Sequence, residues 1–466
     1  MPFSRPGGKC SPTLTLAATS LGFVLVILDV TVVNVALDRI KSALGTDVTG
    51  LQWVLNAYTL VFASLLLTAG ALGDRFGAKR MFVVGFALFT AASVACGCAG
   101  TIDALVTARV VQGVGAALCV PSSLALLNAG FPDPAARVKA VSLWAGAGGL
   151  AIAAGPVVGG SLVDWLGWSS IFFLNLPLGL LGIWLTIAYA PDAPRAPGRG
   201  LDLPGQALAI VALGALTVGF VESGPLGWVH PIVLAGFVTS AVAAGLFLAV
   251  EARVAEPMLP LSLFRNPAIG AACAVGLLTN FSFYGLMFVF SLFFQISKGY
   301  SPLMAGLAFL PMTALITVAN LAAGILTARF GPRLPMVAGQ ALAAVGYMVL
   351  ARTDAATGYG TIVAPLLAVG VGSALTVPSM TAVVLAGVAR ERAGIASGAL
   401  NAARQMGGVI GVGVFGSLMV GAGDRLSGGM PIALILAGLA QLLGCGVSAV
   451  GIRRPSRPVV VRPVMD

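Results

Sequence analysis

Four ionisable residues interrupt otherwise apolar runs of this 466-residue chain: Asp29, Arg109, Glu222 and Arg404. A charged side chain at the centre of a hydrocarbon layer costs about 2.5–3.5 kcal/mol on insertion scales, so such groups normally face a partner or a water-filled path. The chemistry open to them is charge pairing and proton carriage. Asp29 can carry a proton, because deep in an apolar run its protonation responds to whatever displaces water around it; a carboxylate paired permanently to a neighbouring donor fits the same residue. Arg109, Gln112 and Gly113 stand at i, i+3 and i+4, which puts a cation, an amide and a gap on one helical face. Asp29 reaches that face only where its helix meets theirs. Asn401, Arg404 and Gln405 repeat the geometry with more polarity, as a substrate-recognition face or as a polar bundle core. Glu222 ends its run in Val221-Glu222-Ser223-Gly224-Pro225, where contact with outer water is the plainer reading and cation recognition the sharper one.

Other polar and aromatic side chains are candidates to line a substrate cavity: Asn34, Trp53, Asn56, Tyr58, Asn280, Trp144, Phe281, Phe283 and Tyr284. Asn34 lies about 140° around a helix from Asp29, so the two do not share one narrow face and Asn34 serves equally as interhelical glue. Metal and haem chemistry finds no support, since His230 is the only histidine and Cys96-Gly97-Cys98 is an isolated pair. No G-x-x-x-x-G-K-[ST] segment occurs, which disfavours ATP hydrolysis. No cofactor is implied.

The elements that hold these residues are legible in the composition. With 58% hydrophobic residues, 9% charged residues and a mean hydropathy of +1.00, no aqueous globule of this length could hide its apolar surface; soluble domains carry about 25% charged residues. Apolar stretches long enough to cross roughly 30 Å of hydrocarbon predict an all-α membrane protein of fourteen transmembrane helices: six between about 14 and 189, two between 203 and 251, and six between 268 and 452. Lys and Arg gather in alternate loops and both terminal segments, which places both termini in the cytoplasm. The net charge of +10 is dispersed over those loops without an aromatic-interleaved patch, so anionic membrane lipid is the expected partner and nucleic acid is not. The first stretch carries Asp29 and Asn34 toward its far end and reads as a retained span, not a cleaved signal.

The chain repeats itself. Gly70-Ala71-Leu72-Gly73-Asp74-Arg75-Phe76-Gly77 returns as Gly324-Ile325-Leu326-Thr327-Ala328-Arg329-Phe330-Gly331, and Gly113-Val114-Gly115-Ala116-Ala117-Leu118-Cys119-Val120-Pro121-Ser122 as Gly370-Val371-Gly372-Ser373-Ala374-Leu375-Thr376-Val377-Pro378-Ser379. The repeat distance exceeds six spans by about one helix pair. The expected domains are therefore a six-helix bundle over 1–190, a connector and inserted pair over 191–265, and a second, parallel six-helix bundle with a cytoplasmic tail over 266–466.

In the first repeated segment, Gly73 and Gly77 permit a tight turn, Asp74 can sit near the amino end of the following helix, and Arg75, Lys79 and Arg80 hold the membrane surface. A basic hairpin that only fixes topology accounts for part of this, but Asp74 gives way to Ala328 in the second copy while the glycines persist. Gly155-Pro156 with Gly159 and Gly160 predicts a bent, closely packed fifth helix.

Gly70-x-Leu72-Gly73-Asp74-Arg75-x-Gly77-x-Lys79-Arg80 resembles the signature of the major facilitator superfamily, departing at Ala78. Leu105-x-x-x-Arg109-x-x-Gln112-Gly113-x-Gly115 resembles its second motif, and Gly155-Pro156-x-x-Gly159-Gly160 the one associated with antiporters. Leu28-Asp29-Val30-Thr31-Val32-Val33-Asn34-Val35-Ala36-Leu37, Gln52-Trp53 with Asn56 and Tyr58, and Trp168 through Asn175-x-Pro177-x-Gly179 resemble the fourteen-span drug:proton antiporter family, with Asp38 where a proline commonly stands. The resemblance implies a proton-coupled efflux antiporter working by alternating access in a bacterial cytoplasmic membrane, exporting amphipathic small molecules, cations among them. It implies proton coupling through Asp29, Arg109 and Glu222, and a monomeric, non-enzymatic transporter. A dedicated exporter of one endogenous metabolite or self-made antibiotic is the alternative, and a non-transporting membrane sensor a more distant one.

Overall fold

The computed structural model describes residues 11–192, 202–254, 257–388, 392–421 and 426–452. Most of the expected Pro/Gly connector and the basic tail lie outside the described residues. The described residues form fourteen membrane-length apolar helices and no strand. These are α1 (Pro12–Leu44), α2 (Val48–Phe76), α3 (Ala78–Gly97), α4 (Ile102–Gly130), α5 (Pro134–Leu166), α6 (Ser170–Tyr189), α7 (Leu203–Leu226), α8 (Pro231–Glu251), α9 (Pro267–Ser297), α10 (Pro302–Phe330), α11 (Arg333–Leu350), α12 (Tyr359–Ala386), α13 (Ala393–Gly421) and α14 (Leu426–Gly451). The starts follow the sequence: Ser11, Asp47, Thr101, Asp133, Asp202 and Ser301 each accept a hydrogen bond from a first-turn backbone N–H, and proline opens several of these helices, where its missing N–H is not needed.

The repeat in sequence is a repeat in packing. α1 packs on α5, α3 on α4, α2 on α4, and α6 on both α1 and α3; in the second set α9 packs on α13, α11 on α12, α10 on α12, and α14 on both α9 and α11. The two sets meet reciprocally, α5 on α10 and α2 on α13. The pair α7–α8 sits outside this pattern, with α7 lying on α2 and α13. There Gln206 Nε2 donates to Ser64 O at 3.0 Å.

Apolar packing divides the molecule by depth. At the end of the bundle that holds the α1–α2 and α5–α6 turns, one continuous core joins both repeats, from Leu28, Val33 and Leu37 to Phe288, Phe294 and Phe309. At the opposite end there are two separate cores, one around Phe62, Phe82 and Phe86 and the other around Val275, Met336 and Met380. The seam is tight on the joined side. A Cβ on Gly160 would meet Pro302 O at 2.5 Å, and one on Gly306 would meet Pro156 O at 2.1 Å. Asp164 accepts there from Ser301 Oγ at 2.8 Å and from Leu303 N at 3.0 Å, binding α5 to the start of α10.

Candidate functional site

Asp29 lies midway along α1, at the depth where the shared core ends. It is wholly buried, as is Arg109 at 1% exposure. The two form an ion pair from Asp29 Oδ2 to Arg109 Nη1. The second carboxylate oxygen accepts from Gln112 Nε2 at 2.8 Å and from Asn175 Nδ2 at 3.2 Å. Gln112 Nε2 and Asn175 Nδ2 also donate to Ser93 Oγ, at 2.8 and 3.2 Å. Arg109 donates from Nη1 to Gln112 Oε1 at 2.7 Å and from Nε to Val54 O at 3.1 Å, while its guanidinium carbon stands 4.2 Å from the Tyr58 ring centroid. Helices α1, α2, α3, α4 and α6 thus all contribute to one closed, charge-balanced knot. Both carboxylate oxygens and the Arg109 Nε and Nη1 donors are thereby partnered, as a buried ion pair requires.

The i, i+3 face of α4 therefore does meet α1, and both Gln112 and Tyr58 belong to this knot and not to an open surface. Asn175 and Ser93, which the residue pattern does not mark as site residues, complete it. Asn175 follows Leu174, where α6 divides into Ser170–Phe173 and Asn175–Tyr189; its place before Pro177 was the available signal. Ser93, on α3, offered none.

Other candidates are spread out. Asn34 Nδ2 donates to Val30 O at 2.7 Å within α1, and the Asn34 carbonyl accepts from Ser291 Oγ of α9, so this residue joins the two repeats through backbone. Asn56 is buried on α2 with no hydrogen-bond partner at its Nδ2, and Asn280 is buried on α9. Glu222 is half-buried and accepts from Trp53 Nε1 at 3.0 Å, so it joins α7 to α2 instead of merely touching water. On α13, Arg404 Nη1 donates to Asn401 Oδ1 at 3.4 Å, and Gln405 lies one residue on.

The glycine motifs have separate jobs. Gly77 takes φ +97° in the α2–α3 turn, and Gly331 takes φ +78° at the equivalent turn. Gly73 is not in the turn: it is buried in the last turn of α2, and Gly70, one turn earlier, has nothing close to it. Arg75 lies over the Phe76 ring at 5.5 Å and Arg329 over Phe330 at 5.3 Å, so the repeated motif keeps its geometry. Lys79 Nζ donates to Ala190 O at 2.7 Å, closing the end of α6, whereas Arg80 is exposed and Asp74 half-buried. In α5, Gly155 faces Thr31 and Gly159 faces Val32, both of α1, and Pro156 lies inside the helix.

A family model described as Major Facilitator Superfamily matches residues 19–412. The chain belongs to the major facilitator superfamily. Within it, the chain is 39% identical to the methylenomycin A resistance protein of Streptomyces coelicolor, over 95% of this chain and 93% of that protein. It is 37% identical to the multidrug resistance protein Stp of Mycobacterium tuberculosis, over 87% of this chain and 75% of that one. The crystal structure of a D-xylose–proton symporter superimposes with a TM-score of 0.70 at 15% identity, covering 95% of this chain and 98% of that chain; at that identity the likeness concerns the fold. As a superfamily member the chain is a multi-pass membrane transporter, and the fourteen apolar helices and paired repeats are its major facilitator scaffold.

Proposed function

We propose that this transporter is a proton-coupled exporter of amphipathic small molecules, and that Asp29 exchanges a proton against substrate during alternating access. The observation that carries the reading is the closed Asp29–Arg109 knot at the depth where one apolar core becomes two. An ionised Asp29 holds Arg109, and through it α2 and α4, in one arrangement. A proton on Asp29 removes the countercharge, so the balance between two arrangements of the helices shifts. Separate cores on the side of the α2–α3 turn suit the state open to the cytoplasm, with both termini on that face and the protein in a bacterial inner membrane. In this reading residues 1–190 and 266–466 rock as the two bundles, 191–265 follows as the inserted part, and one copy suffices.

Resistance relatives favour export over uptake. A relative named for a single antibiotic, methylenomycin A, favours a second, narrower reading: a dedicated exporter of one compound. The test is efflux from a pump-deficient bacterial host challenged with a chemically diverse drug panel, followed by proteoliposomes given only a pH gradient. Uphill movement of several unrelated compounds supports the broad reading, and of one compound the narrow reading. Uphill movement that persists after the pH gradient is collapsed refutes proton coupling.

A further inference from the structure

Among the described residues, Arg404 is a cation with no carboxylate partner. It stands between Leu400 of the separate second core and Val412 of the shared one. No Asp or Glu occurs in α9, α10, α11, α12, α13 or α14. Of the carboxylates on the first-half and inserted helices packed against α13, Glu222 lies level with the α13 segment between Gly413 and Ser417, since Phe220 and Gly224 of α7 touch those residues. That is about three helical turns, roughly 16 Å, from Arg404. Asp74 is near the far end of α2, while Leu67 already meets Gly398 below Arg404. Asp29 is occupied by Arg109. Among the described residues, Arg404 Nη1 finds only the neutral Asn401 Oδ1 at 3.4 Å, and Arg404 Nε is buried without an acceptor.

The equivalent place in the first repeat is filled differently. Gly160-Ser161-Leu162 of α5 aligns with Gly416-Ser417-Leu418 of α13, and this register puts Gly148 opposite Arg404. Gly148 receives the Phe23 ring from α1, which stacks on Trp144 at 3.9 Å between centroids. In the second repeat the sizes are exchanged, with Arg404 reaching over Gly276 of α9. One repeat thus holds an aromatic plate, with the Trp144 Nε1 donor unpartnered, and the other holds a cation at the same level. Tyr284, half-buried on α9, has its ring against Gly408 of α13, one turn from Arg404.

We propose that Arg404, with Asn401 and Gln405 on the same helical face, binds the acidic headgroup of an amphipathic substrate, while the Phe23–Trp144 plate takes its apolar body. The inference rests on the exporter reading and sets its substrate class: acids, not the cations that the sequence left open. A carboxylate supplies the countercharge and accepts from a guanidinium fork whose other donors are unused. A cationic ligand meets repulsion at the same place.

The test uses three molecules with one apolar body: 1-naphthylacetate, its neutral amide, and 1-naphthylmethylammonium. Each is equilibrated by dialysis with the full-length protein in lipid nanodiscs, with empty nanodiscs as the blank. Wild type should bind the anion at least about tenfold more tightly than the cation. Arg404→Gln should lose most of that preference while holding the amide within about twofold, and Arg404→Lys should retain part of it. Equal or tighter binding of the ammonium by wild type overturns the proposal. So does binding of none of the three, or an Arg404→Gln variant that weakens all three alike, as a structural role would. Proteoliposomes then separate the two readings. Uphill movement of the ammonium leaves export standing without the acid site; selective binding of the acid with no uphill movement leaves the site standing without export.

Discussion

The Arg109 guanidinium carbon stands over Tyr58, 4.2 Å from the ring centroid, and Arg109 donates to Val54 O one turn earlier on the same helix. Its grip on α2 is therefore as direct as its grip on Asp29 of α1. The α2 helix is also the one that meets α13 of the other repeat, where Gln52 Nε2 donates to Val412 O at 3.0 Å and to Gly413 O at 2.8 Å. A charge change at Asp29 is thus one residue away from a helix that spans the seam, and this is a contiguous physical route from proton to bundle.

Removing half of the buried pair should harm the fold as well as the coupling. Asp29→Asn leaves Arg109 charged and uncompensated, a loss on the order of 3–5 kcal/mol when a buried pair is broken from one side. The double variant Asp29→Asn with Arg109→Gln removes both charges and should recover much of that stability in a detergent melt. Neither should release protons on substrate addition. If the double variant melts like wild type and releases protons like wild type, Asp29 is structural only.

The joined end of the seam depends on the absence of side chains. Gly160→Leu drives a side chain into the backbone at Pro302, and Gly159→Leu into Val32, where even a Cβ would stand 2.9 Å from its Cα. Both should slow transport, Gly160→Leu by separating α5 from α10 and Gly159→Leu by forcing α5 from α1. Cysteine cross-linking between α5 and α10 distinguishes them: it should fall in Gly160→Leu and stay nearer wild type in Gly159→Leu. Unchanged efflux and melting in Gly160→Leu would show that the seam opens elsewhere.

The α2–α3 turn offers a cleaner separation of fold from function. Gly77 holds φ +97°, so Gly77→Ala places an L side chain in a strained backbone at a cost of about 1–3 kcal/mol, read as a lower melting temperature. Asp74→Asn changes a charge without that strain, and should reduce initial efflux rates with little change in membrane level or melting. Wild-type rates for Asp74→Asn would take the hairpin out of the mechanism.

Much of this architecture could be read from residue order, because hydrocarbon demands long apolar helices and a duplicated chain shows its duplication. Gly77 and Gly331, Arg75 and Arg329 occupy matching places as their repeated segments required. The buried knot was only half legible. Spacing put Arg109 and Gln112 on one face, but nothing in α1 says which way Asp29 turns, and Ser93 is one small hydroxyl among many. A glycine pair four apart is compatible with a helix end at either member, so the sequence does not separate Gly73 from the turn; the hydrogen bond from Gly77 N to Gly73 O at 3.0 Å shows the helix continuing to Phe76. The lone state of Arg404 could not be seen at all from local pattern. It follows from where the described carboxylates end up.

Glu222 is the competing carboxylate, and its surroundings make a different forecast from those of Asp29. It is half-buried, at the end of the inserted helix α7, and its described partner is the neutral Trp53 indole at 3.0 Å. Losing its charge leaves no buried arginine unpaired, and an amide oxygen still accepts from the indole, so Glu222→Gln should melt close to wild type, within about 1 kcal/mol for one weakened hydrogen bond. Trp53→Phe removes the donor from the other side and should behave alike if the bond only ties α7 to α2. Proton release on substrate addition should survive in both variants and vanish in Asp29→Asn. The opposite pattern, with release lost in Glu222→Gln and kept in Asp29→Asn, would move the proton carrier from the first repeat to the inserted pair.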